Sequence, residues 1–91
     1  MDETEFAKTL RAQGYDVLTR DVEPELALDE HDHAWDVKGL VLSGAFNITA
    51  EGRSRTYETG QSFELAAGVP HTVSAGSQGA RLLLGRRNRV E

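Results

Sequence analysis

After residue 14 this chain alternates apolar and polar residues in short runs, and each run meets a Gly or Pro signal within about ten residues. That rhythm leaves room for short strands and little else. Tyr15 to Thr19 is the first run, broken by Glu23-Pro24. Leu26 and Leu28 then alternate with Glu25, Ala27 and Asp29 and lead into His31 and His33. Val37 to Ser43 is the most apolar strand, closed by Gly44, and Phe46 to Thr49 follows. Glu51-Gly52 is a hairpin signal before Arg53 to Tyr57, and Thr59-Gly60-Gln61 is a turn before Phe63 and Leu65. Gly68-Val69-Pro70 precedes a short strand from His71 to Ser74. Gly76 to Gly79 reads as a flexible loop, and Ala80 to Leu84 as the last strand. No strand–helix–strand unit competes, so the expected class is all-β: an antiparallel sandwich or barrel of six to eight strands.

Residues 3 to 13 are the one good helix candidate. Phe6, Ala7 and Leu10 form a short apolar stripe, Glu3 and Glu5 suit the positive end of the helix dipole, and Gly14 is a stop. So short a helix holds only by packing against something else. The expected organisation is a brace over residues 1–14 on a single barrel over residues 15–91.

Size and charge narrow the function classes. A chain of 91 residues buries too little surface for a thick core, which makes a partner subunit or a metal useful to it. A net charge of −5 argues against non-specific nucleic-acid binding. The absence of cysteine excludes thiolate ligands and cysteine nucleophiles. The acidic start Met1-Asp2-Glu3 and the lack of a long apolar run lead to the expectation of a cytoplasmic protein with no membrane partner. Phosphate-cradling loops, nucleophile elbows and histidine-helix zinc motifs are all missing from the sequence.

The three histidines of the chain offer the one concentrated piece of chemistry. If residues 29–34 are extended, His31 and His33 point to one face, close enough to share a metal ion. His71 follows a turn-rich stretch, Ala66 to Pro70, that can return the chain to the same place. Two readings stand side by side: a metal site, or two histidines in a solvated acidic loop (Asp29, Glu30, Asp32) with a third in a turn.

These residues resemble the cupin family of small jelly-roll barrels. The first cupin motif carries His-x-His, a glutamate and a glycine, and His31, His33 and Gly44 match it, with Val41-Leu42-Ser43 leading to the glycine. The second carries two spaced glycines and a histidine, and Gly60, Gly68 and His71 match in identity and spacing. The resemblance covers about residues 28–74. It implies a jelly-roll barrel, a homodimer, and a divalent transition metal ion (Zn, Fe, Ni, Mn or Cu) on His31, His33 and His71. Three departures stand out. Val37 occupies the place of the metal-binding glutamate, Ala66 that of the motif proline, and Ala75 that of the final asparagine. Three neutral imidazoles still suit such metals and leave positions open for water or substrate.

Other residues carry weaker signals. Asp36 is either a displaced carboxylate ligand, reached through a bulge, or a surface aspartate near Lys38. Trp35 lines the pocket mouth or covers the barrel end. Phe46, Tyr57, Phe63 and Val73 are expected to pack the barrel, one or two of them lining a cavity. Arg86, Arg87 and Arg89 either meet a phosphate or form a solvated basic tail. No catalytic residue beyond the histidines can be named. Three functions follow: a metal-dependent enzyme, such as an oxygenase or isomerase acting on a small organic molecule, a small-ligand-binding or sensing module, or a structural barrel with a vestigial site.

Overall fold

The computed structural model describes residues 2–88, which hold helix α1 (Glu3–Ala12) and six strands. The strands are β1 (Asp16–Val22), β2 (Ala27–His31), β3 (Trp35–Ala50), β4 (Arg53–Glu58), β5 (Ser62–Leu65) and β6 (His71–Asn88). All pairings are antiparallel. β3 and β6 run side by side for their whole length and serve both layers of the barrel. In the first layer the order is β1, the C-terminal half of β6, the N-terminal half of β3, then β5. In the second it is β2, the N-terminal half of β6, the C-terminal half of β3, then β4.

The two long strands correct the expected boundaries at Gly44 and at residues 76–79. Neither is a strand end: both lie inside continuous strands. Gly44 and Gly79 have φ of +79° and +72°, in the region L side chains avoid, and the β3–β6 register slips between Val41 and Ser43 and again between Gly44 and Phe46. The slips bend the pair from one layer into the other. A Cβ on Gly44 would stand 2.1 Å from the Gly79 carbonyl oxygen, so the bend requires glycine there. What reads in sequence as punctuation is a hinge within a strand.

Two apolar clusters hold the molecule. Val41, Phe46, Ile48, Phe63 and Leu82 fill the barrel, and the Phe63 ring lies so close over Gly39 that a Cβ there would touch it at 2.3 Å. Outside the first layer, Phe6, Ala7 and Leu10 of α1 pack on Leu40, Leu83 and Tyr15. The alternation of β3 divides its side chains between these clusters: Val37 and Val41 inward, Leu40 and Leu42 outward. The Asp2 carboxylate caps the helix by accepting from the Thr4 amide at 3.1 Å. Burying Phe6 and Leu10 contributes about 2 kcal/mol each, enough to hold a helix too short to persist alone.

The outer face of the second layer is different. Asn47 and Thr49, with Ser54 and Thr56 opposite them on β4, form an uncharged ladder in which the Asn47 amide donates to both Ser54 and Thr56 at 3.1 Å. No helix of the described residues is long and apolar enough to cross a membrane.

Candidate metal centre

The three histidines meet at one end of the barrel. Their ring centroids lie 4.4 Å (His31–His71), 4.8 Å (His33–His71) and 5.4 Å (His31–His33) apart. The sequence brings them together by three separate devices. His31 ends β2 directly opposite His71, which begins β6. Strict alternation from Leu28 would turn Glu30 inward and His31 outward. The register shift between Leu28 and His31 resets the pattern, and both residues line the same cavity. His33 lies just past the strand, where its carbonyl accepts from the Gly68 amide at 2.8 Å. That bond ties the His33 segment to the turn carrying His71. Gly68 has φ of +80°, and nothing stands within 4 Å of where a Cβ would be, so the turn calls for glycine on conformation alone.

The donor set fits a transition metal. The Nδ1–H of His31 donates to the Asp29 carbonyl and that of His71 to the Val69 carbonyl, each at 2.8 Å. A carbonyl oxygen can only accept, so both Nδ1 atoms carry a proton, and in the neutral rings both Nε2 atoms keep a lone pair. His71 is buried, only 3% exposed, which further fixes its ring. The candidate ligand atoms of the three residues lie within 4.8 Å of one another. Two nitrogens about 2.1 Å from one ion at the tetrahedral angle are about 3.4 Å apart, so modest ring adjustments close the set. Burial, then electrostatic interaction with His71 and His31, lowers the His33 pKa; Asp32 raises it and Arg86 lowers it further. A site that disfavours the imidazolium favours the form that binds metal.

The histidines open onto a cavity of about 260 Å³ inside the barrel. Trp35, Val37, Phe46, Ile48, Phe63 and Val73 supply much of its wall. Trp35 thus lines the pocket, its ring stacked parallel to His33 at 5.2 Å. Val37 lines it too, at the position where the cupin motif has a glutamate. Asp36 faces away, as regular alternation requires. Its Oδ1 accepts from the Ala67 amide at 2.8 Å and its Oδ2 is 3.9 Å from Arg87, so it braces the His71 turn from outside.

The basic tail is corrected. Arg86 and Arg87 belong to β6. Arg87 reaches the Gln13 carbonyl at 2.7 Å and lies over the Tyr15 ring, while Arg86 lines the cavity and lies over Trp35. Arg89 is outside the described residues. Arg20, which the sequence reading passes over, also lines the cavity. Ending the first strand at Thr19 hid it. β1 runs on to Val22, and period two counted back from that core residue turns Arg20 inward.

The chain belongs to the cupin family: the model of the cupin domain matches residues 19–84. None of the curated proteins searched matches it. Among solved structures it is similar to a protein of unknown function from Rhizobium leguminosarum bv. viciae, at 19% identity and TM-score 0.77, over 82% of this chain and 71% of that one. It is similar to a cupin-2 domain containing protein from Shewanella frigidimarina at 21% identity and TM-score 0.67, again over 82% and 71%. It also resembles part of the Mn(II)-containing oxalate decarboxylase of Bacillus subtilis at 23% identity and TM-score 0.68, over 79% of this chain and 20% of that one. These likenesses agree on the barrel.

Proposed function

We propose that this protein is a small metal-binding cupin that holds one divalent transition ion on His31, His33 and His71 and takes a small organic molecule into the adjoining cavity. The observation that carries the reading is the locked pair of tautomers: His31 and His71 each spend Nδ1–H on a backbone carbonyl, which leaves Nε2 as the metal-binding atom. The decarboxylase named above, whose similar barrel accompanies Mn(II) centres, supports the fold as a host for such a site. When bound, the ion would act as a Lewis acid toward an oxygen of the ligand or toward water. The chain would supply orientation and an apolar enclosure.

A second reading, a binding or sensing module without turnover, is favoured by one feature. Among the described residues, no carboxylate, tyrosine or lysine lines the cavity, so no proton-transfer group is left once the histidines hold an ion. Elemental analysis of the purified protein beside His33→Ala and His71→Ala tests the site. One equivalent of metal is expected in the parent and loss of about a hundredfold or more in affinity in each variant, since a two-imidazole site binds far more weakly. Equal metal content in all three proteins, with circular dichroism unchanged, would refute it. Product formation or oxygen uptake by iron-loaded protein on small acids, diketones and thiols separates the enzyme from the module.

A further inference from the structure

The inner face of the first layer carries a break in pattern that the metal site does not use. Along β6, Ala80, Leu82 and Leu84 recur at period two as inward residues, and the next in the series is Arg86. Along β1 the inward series from Val22 continues with Arg20. Both residues line the cavity of the three histidines and are exposed. The ion pairs found among the described residues use Lys38, Arg81 and Arg87, and neither Arg20 nor Arg86. Arg86 lies over the Trp35 ring, 5.1 Å from its centroid. Such stacking uses the face of the guanidinium and leaves its N–H edge for an acceptor. In the β3–β6 register Arg86 stands directly opposite Val37. The residue that takes the glutamate's place is therefore the cross-strand neighbour of an arginine without a carboxylate ion pair among the described residues, and no acidic side chain among them lines the space. A bound divalent ion would make the surplus of positive charge larger still.

We propose that the cavity takes a small organic carboxylate with an apolar body, its carboxylate held by Arg86 and Arg20. The anion then comes from the ligand instead of from the chain. Planar bidentate pairing with carboxylate is what the guanidinium fork does best. The walls between the two ends, among them Phe46, Ile48 and Val73, are apolar and suit a hydrocarbon body. The volume, about 260 Å³, lies just under the range usual for ligand pockets, about 300 to 1,000 Å³, which limits the ligand to small molecules. This deepens the metal-site reading and rests on it for the partner of the ligand's other end. The arginine contacts stand apart from the metal and can be measured without it.

Trp35 is the single tryptophan of the chain, so its fluorescence reports this cavity alone. The full chain, zinc-loaded and metal-stripped, is titrated with hexanoate, with hexanamide as the neutral analogue, and with inorganic phosphate. Hexanoate is expected to saturate in both forms and to bind about tenfold or more tightly than hexanamide or phosphate. Arg86→Gln and Arg20→Gln are each expected to weaken hexanoate about tenfold while leaving zinc content intact. The proposal is overturned by hexanamide or phosphate binding as well as hexanoate, by no saturable response to hexanoate, or by undiminished binding in both arginine variants. Loss of the metal reading alone would look different: zinc content indifferent to His71→Ala, with hexanoate binding still dependent on the arginines.

Discussion

The two walls of the cavity are made by different kinds of backbone. The histidine wall is irregular: a register shift turns His31 inward, His33 lies beyond the end of β2, and a turn with Gly68 at φ +80° delivers His71. Its side chains are aimed by bonds to nearby carbonyls. The other wall is regular. Val37, Leu84, Arg20 and Arg86 point inward because strand alternation puts them there, with their register fixed by long ladders. Geometry is the sensitive quantity on the first wall and side-chain identity on the second. A backbone substitution should damage the first wall selectively, and a change of charge should retune the second without moving it.

Val37→Glu should give the largest effect. It places a carboxylate on the regular wall, within a cavity that also holds the histidines and in register with Arg86. Divalent metal affinity is expected to tighten about tenfold, equivalent to about 1.4 kcal/mol, in chelator-competition titrations. Hexanoate binding should weaken in the same variant, because the new carboxylate competes for Arg86. Unchanged metal affinity would mean that the two walls do not share one site.

The backbone wall is tested by Gly68→Ala beside Gly60→Ala. Both glycines have positive φ, +80° and +88°, and neither has an atom within 4 Å of an added Cβ, so each substitution brings conformational strain without a clash. The strain is about 1 to 2 kcal/mol in each case. A loss of about 1 kcal/mol lowers Tm by about 4–8 °C in a domain of this size. Only Gly68 is bonded to the histidine wall, through His33. Metal affinity should therefore fall several-fold in Gly68→Ala and hold in Gly60→Ala at a similar Tm. Equal metal binding by the two variants would show that the turn does not aim the histidines.

The same division explains what could be read from the sequence. Alternation and turn signals pointed to the antiparallel barrel, and the motif spacing picked out His31, His33 and His71, which do converge. Val37 inward and Asp36 outward also follow from period two. Features that depend on backbone irregularity were hidden. A glycine at positive φ inside a strand has the same sequence signature as a glycine in a turn, so Gly44 and Gly79 looked like ends where they are bends. Arg20 and Arg86 are obscured for another reason: each falls just past the end of an apolar run in the sequence. Charged residues near strand ends are usually solvated, and these two are exposed as well; only the pairing of β1 with β6 shows that they continue an inward series beside the cavity.

The smallest expected effect concerns pH, and it isolates His33 on the irregular wall. Burial and the neighbouring imidazoles hold its pKa below the ordinary value of 6.5, which applies in the unfolded chain. As pH falls through that window the unfolded state takes up a proton before the native state does. The contribution to stability is therefore complete above 6.5 and is lost as pH drops below it. In metal-free protein, Tm should fall as pH drops below 6.5, and His33→Gln should fall less, because the shifted group is gone. With metal present the drop should steepen, since each ligand must be neutral to bind. Parallel Tm curves for the parent and His33→Gln without metal would contradict the assignment. They would mean that neither burial nor the neighbouring imidazoles disfavour a charged His33 in the native fold, and that the irregular wall yields when it is charged.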